Sequence, residues 1–126
     1  MASPLATLLQ APDRDALGAL LADAARFHSP VADYEGRADV GHLLALIATV
    51  VGDIRPTREL ADAMATTTFF DAAVEGRPLQ GVLDERYDER GRLVEATLML
   101  RPFATLRVAI AAMAAALEAE PLPSAR

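Results

Sequence analysis

The sequence predicts an α+β domain with a cone-shaped fold, in which a curved antiparallel sheet wraps around N-terminal helices and a C-terminal helix follows. Three observations predict it. Apolar residues recur at helical spacing through the N-terminal part of the chain. After Gly52, segments rich in β-branched and aromatic residues alternate with hairpin-turn sequences. A final apolar stretch then returns to helical period. Helices followed by a hairpin-connected sheet is the α+β order, in which one sheet face packs on the helices.

The elements follow in turn. Ser3-Pro4 reads as a helix start, a capping hydroxyl before a proline at the first helical position, with Leu5, Leu8 and Leu9 on one face. Pro12 ends this helix, and Asp13 caps a second in which Leu17, Leu20, Leu21 and Ala24 form a core-facing stripe. Ala25 to Ser29 reads as a brief strand stopped by Pro30, which cannot donate to a ladder. An irregular loop then runs to Gly36. Val40, Leu43, Leu44, Ile47, Val50 and Val51 place a long helix over Arg37 to Val51, with Asp39 in its first turn.

Strands are expected around Ile54 to Leu60, Ala65 to Val74, Leu79 to Tyr87 and Leu93 to Leu100. Glu75-Gly76-Arg77-Pro78 and Asp88-Glu89-Arg90-Gly91 are the hairpin turns between them. Arg101-Pro102 closes the sheet and opens the last helix, where Leu106, Ile110, Met113 and Leu117 recur at helical spacing. The boundaries are a domain over 4–120 and a disordered tail over 121–126.

At 126 residues the chain holds one domain. A net charge of -6 with no basic cluster argues against nucleic acid and against an anionic membrane surface, since both partners need a positive patch. The N-terminal stretch lacks the basic start and long apolar run of an export signal, so a cytoplasmic location is expected. The absence of cysteine excludes a disulfide, a thiol nucleophile and a Cys-ligated zinc. His28 and His42 form no HxH, HxxxH or His-carboxylate helix motif, so no metal and no cofactor are expected.

The phrases RFHSPVADYEGRADV, GRPLQGV and YDERGRLVEATLMLRP, together with the trailing apolar helix, resemble the SnoaL-like proteins of the nuclear transport factor 2-like (ketosteroid isomerase-like) superfamily. The resemblance covers Pro4 to Leu117. It implies a curved sheet wrapped by three helices, often dimeric through the outer sheet face. The superfamily contains isomerases, epoxide hydrolases, polyketide cyclases, dehydratases and many members with no known catalysis, so fold does not imply reaction.

In the isomerases a carboxylate base ends the first strand immediately before the proline, where this chain has Ser29. An alcohol's pKa lies far above neutrality, so Ser29 cannot replace that base. The isomerase tyrosine falls near Leu5. The isomerase aspartate falls at Leu83 or at Glu85, depending on which turn sets the alignment. Period-two alternation puts Leu83, Glu85 and Tyr87 on one face, so that Glu85 is either a pocket carboxylate or an acid at a solvated strand end. The limonene epoxide hydrolase pattern maps to the stretches Thr66 to Asp71 and Glu95 to Leu100, and neither joins an arginine to an acid on one side.

The pocket candidates are therefore Phe27, His28, Ser29, Tyr34, Thr66, Thr68, Phe70, Leu83, Glu85 and Leu98. Each has a plain alternative. If Phe27 faces the core, alternation turns His28 to the outer face, where a histidine beside a loop is usually a structural hydrogen-bonding residue. Tyr34 belongs to a turn or lids the pocket, and the threonines pack as strand formers. Met99 and Thr97 leave the last strand apolar on both faces at its end, which points to a homodimer through the outer sheet. The expected function is binding of a small hydrophobic ligand in a cone-shaped pocket without the isomerase catalytic residues. The alternatives are an isomerase, cyclase or hydrolase acting on a hydrophobic substrate, and a noncatalytic dimeric accessory protein.

Overall fold

A computed structural model of the chain describes residues 3–125. Ser3 caps α1 (Pro4–Gln10) by accepting from the Ala6 amide, with Pro4 in the first turn, where its fixed φ costs nothing. Asp13 caps α2 (Arg14–Leu20) by accepting from the amides of Asp15 and Ala16. The apolar run then continues directly as β1 (Leu21–His28), which starts earlier than Ala25. Leu21 is buried as the first strand residue, opposite Leu93, and Ala24 is exposed. Pairing with a distant strand has overridden the local helical stripe.

Where the sequence suggests an irregular loop, the short strand β2 (Asp33–Glu35) folds back on β1, with Tyr34 opposite Phe27 and Asp33 opposite His28. Gly36 then takes φ +98, a conformation open to glycine and strained for other residues, and delivers the chain into α3 (Arg37–Val50). The strands β3 (Gly52–Ala61), β4 (Ala65–Val74), β5 (Arg77–Tyr87) and β6 (Leu93–Arg101) follow. The chain leaves β6 through a cis Arg101–Pro102 peptide bond and enters α4 (Phe103–Ala119).

The six strands form one curved sheet in the order β2-β1-β6-β5-β4-β3. It is mixed: β1 and β6 run parallel, with Phe27 opposite Ala96, and the other pairs are antiparallel. Hairpin signals in the sequence report only neighbouring strands, so this long-range pair was not legible there.

Alternation along β4 and β5 turns Thr68, Phe70, Ala72, Val74, Leu79, Leu83 and Glu85 into the concave face. Leu5, Leu17, Leu21 and Phe27 are fully buried there, each contributing about 1.5–3 kcal/mol. Gly81 sits opposite Phe70, and any Cβ at Gly81 would overlap the Phe70 ring. The ring thus lies flat on the backbone of the neighbouring strand. The sequence expects 121–126 to be disordered. Pro123–Ala125 instead makes a 3-10 turn, with the Ser124 amide and hydroxyl donating to Asp39 at 3.0 and 2.5 Å, while Arg126 lies outside the described residues. His42, only 8% exposed, holds the end of α4 onto α3 through a 2.7 Å hydrogen bond between Nε2 and the Glu120 carbonyl.

Candidate functional site

Turning out of β6, α4 crosses over α3 and roofs one end of the cone. A cavity of about 200 Å³ remains beneath it, lined by Leu43, Ile47 and Val50 of α3, Leu106, Ala109, Ile110 and Met113 of α4, and Leu98 and Leu100 of β6. The rim is the turn from β1 to β2: Ser29, Pro30, Val31 and Tyr34. The lining is almost wholly aliphatic, because β6 presents Ala96, Leu98 and Leu100 inward and two helices meet it with their apolar stripes.

The rim holds two side-chain hydroxyls. The Ser29 hydroxyl, at the end of β1 before Pro30, is taken up locally. It donates to the Ala32 carbonyl at 3.0 Å and accepts from the amides of Val31 and Ala32 at 3.2 and 3.1 Å. The side chain closes a turn. Tyr34 is half-buried at the cavity edge, and its hydroxyl makes no hydrogen bond among the described residues.

A second cluster lies deeper, under the start of α1. Glu85 is fully buried, with the Ser3 hydroxyl at 2.7 and 2.6 Å from its two oxygens and the Tyr87 hydroxyl donating at 2.6 Å. Burial pushes the Glu85 carboxyl above its ordinary pKa, against the lowering effect of the Ser3 and Tyr87 hydrogen bonds. Burial and the neighbouring carboxylate both push the Tyr87 phenol upward. Thr68 is also fully buried, and its Oγ1 has no partner among the described residues. Glu85 lies one pleat repeat, roughly 7 Å, along β5 from Leu83, which pairs with the cavity-lining Leu98. Its oxygens are engaged with its own chain and not with the cavity.

His28 is on the opposite, convex face. Its Nδ1 is 2.7 Å from Asp33 Oδ1 and its Nε2 2.7 Å from Glu95 Oε2. Glu95 is further held by Arg86 at 3.0 Å and Arg26 at 3.4 Å. The hydrogen bond to Glu95, then that to Asp33, raises the His28 pKa above its ordinary value, and the same bond from His28 lowers that of Glu95.

Of the ten pocket candidates, the structure brings Ser29, Tyr34 and Leu98 together at the cavity. Phe27, Phe70 and Leu83 are core residues, Thr66 is half-buried on β4, Thr68 and Glu85 belong to the deeper cluster, and His28 faces outward. Sequence reasoning missed the contribution of α4 to the lining, since an apolar stripe does not say what it covers. It also missed Ser3 and Tyr87 as partners of Glu85. For Tyr87 a signal existed, because it shares the parity of Glu85 on one strand. Among the described residues no group of three or more His, Cys, Asp or Glu side chains is arranged to hold a metal ion, and no helix is long and apolar enough to cross a membrane.

No protein-family model and no curated protein matches the chain. Solved structures do. A steroid delta-isomerase of Pseudomonas aeruginosa is 32% identical, with a TM-score of 0.83 over 90% of this chain and 85% of that one. An uncharacterised protein of Silicibacter pomeroyi with a cystatin-like fold is 23% identical, with a TM-score of 0.87 over 93% and 84%. A SnoaL-like protein of unknown function from Burkholderia thailandensis is 17% identical, with a TM-score of 0.63 over 79% and 90%. The helix-lined concave sheet and the similarity to the isomerase over most of both chains lead to one assignment: the chain belongs to the nuclear transport factor 2-like, ketosteroid isomerase-like superfamily.

Proposed function

We propose that this domain binds a small apolar molecule in the cavity between α3 and α4. The observation that carries the reading is the aliphatic lining of a space of about 200 Å³, with the Tyr34 hydroxyl at its edge making no hydrogen bond among the described residues. A dry apolar cavity of about 150 Å³ accepts benzene. The space here suits one ring bearing a short chain, the size of a simple phenol or a monocyclic terpenoid. Ser29 offers no base, and Glu85 is engaged elsewhere, so binding without turnover is favoured over isomerase, cyclase or hydrolase chemistry.

The test is a thermal-shift series with monocyclic aromatics, terpenoids, polyketide fragments and steroids on the wild type and on Ala109→Leu. Ala109 is 4% exposed and lines the cavity, so leucine fills the space from within. A ligand at roughly a hundred times its Kd adds about 2.7 kcal/mol to stability, which raises Tm by several degrees. The expected result is a shift with single-ring compounds that Ala109→Leu abolishes. No shift with any compound, or an equal shift in the variant, overturns the reading.

A second reading, a noncatalytic accessory protein acting through a homodimer, rests on the convex face. Met99 is 57% exposed there, in register with Val82, which in turn pairs with Phe69. A second copy docked on this stripe would cover it.

A further inference from the structure

We propose that His28 is a proton-operated latch on the mouth of the apolar cavity. The geometry of its two ring nitrogens carries the argument. Each lies 2.7 Å from a carboxylate oxygen, Nδ1 from Asp33 and Nε2 from Glu95. An ionised carboxylate only accepts, so both nitrogens must carry hydrogen, and an imidazole with two N–H groups is the cation. The arrangement is built for the protonated ring.

What the ring ties together is the rim. Asp33 begins β2, a strand of three residues at the sheet edge, and Glu95 lies on β6. Between His28 and Asp33 runs the turn that carries Ser29, Pro30 and Val31, and Tyr34 follows; all four line the cavity. Otherwise the turn is held by its own hydrogen bonds, by the pairing of β2 with β1, and by the Gly36 amide donating to the Ala25 carbonyl at 2.8 Å.

The charges around the ring decide which tie breaks. On β1, Arg26 faces Glu95; from β5, Arg86 does the same, and Asp84 is engaged by the Thr67 hydroxyl. On β2, Glu35 lies opposite Arg26, and Asp33 has His28 as its ion-pair partner. Loss of one proton turns a ring lone pair toward a carboxylate. Glu95 remains compensated by two arginines, whereas Asp33, with its side chain 79% exposed, is released to water. The same bonds raise the pKa of His28 above its ordinary 6.5. The latch is therefore fully closed below that value and is lost as pH rises through the raised one. Faster ligand entry at higher pH is a corollary that rests on the cavity reading; the latch itself does not.

The test uses the ligand-free full chain. Amide hydrogen exchange over 29–36, corrected for the intrinsic rate, is compared at about pH 6 and about pH 9 in the wild type and in His28→Asn, and the ring nitrogens of His28 are titrated by NMR. In the wild type, protection of the turn is expected to fall severalfold relative to β4 and β5 between the two pH values. In His28→Asn it is low and independent of pH, and the wild-type ring titrates above the ordinary histidine range. Constant protection in the wild type, an unchanged pH dependence in the variant, or a His28 ring that titrates at or below the ordinary value overturns the latch. A failure of ligands to raise Tm strikes the cavity reading alone.

Discussion

Replacing Glu85 by leucine and by glutamine separates two opposing contributions of one side chain. Glu85 accepts from the Ser3 hydroxyl at 2.6 and 2.7 Å and from the Tyr87 hydroxyl at 2.6 Å while fully buried. Leucine leaves both hydroxyls without an acceptor, at about 1–3 kcal/mol each. Tyr87 is half-buried and recovers part of its loss from water, and deleting a desolvated acid returns some more. The net expectation for Glu85→Leu is a loss of about 2–3 kcal/mol. Glutamine keeps an acceptor and removes the titration. In the wild type the folded-state pKa of Glu85 lies above 4.5. Its stabilising contribution is thus complete below that value and declines as pH rises through the raised pKa, by up to about 1.4 kcal/mol per pH unit. Urea unfolding followed by circular dichroism, at steps from about pH 4 to about pH 8, gives the difference between the wild type and Glu85→Gln, which cancels contributions from His28 and Glu95. That difference should move in favour of the variant with rising pH and then level off. A difference that does not change with pH, or a Glu85→Leu protein as stable as the wild type at neutral pH, refutes the reasoning.

Thr68→Val should stabilise the protein by about 1 kcal/mol, because it replaces a fully buried hydroxyl with no partner among the described residues by a methyl of the same shape; a lower urea midpoint would count against it. Met99→Lys places a charge on the convex stripe at a side chain 57% exposed. Light scattering should give a dimeric wild type and a monomeric variant, and a monomeric wild type or a dimeric variant sinks the second reading.

The parts of the fold legible in the sequence were those with local signals. The strands from Ile54 to Leu100 announced themselves through alternation and hairpin turns, and α3 through an unbroken apolar stripe. The start of β1 was not legible, because Leu21 is held by Leu93 across the sheet and its neighbours still read as helix. Parity correctly turned His28 away from Phe27, yet the pair of carboxylates around it depends on register with two other strands. The cap at Ser3 was legible as a helix start. That the same hydroxyl reaches Glu85 is a property of the packed cone, in which α1 lies across the inward face of the sheet. The cavity lay nearer α4 than the threonines of β4 suggested, since no pattern within an apolar helix tells which neighbour it will roof.

The parallel seam between β1 and β6 has a consequence for the nascent chain. While the polypeptide is being made, β1 has only the three residues of β2 to pair with, and its buried Leu21, Ala25 and Phe27 wait for a strand that is not complete until Arg101. Closing such a long loop is slow. The domain therefore reaches its native form only after β6 has been made, and a chain stalled before Leu93 presents an open apolar edge of the kind that chaperones protect.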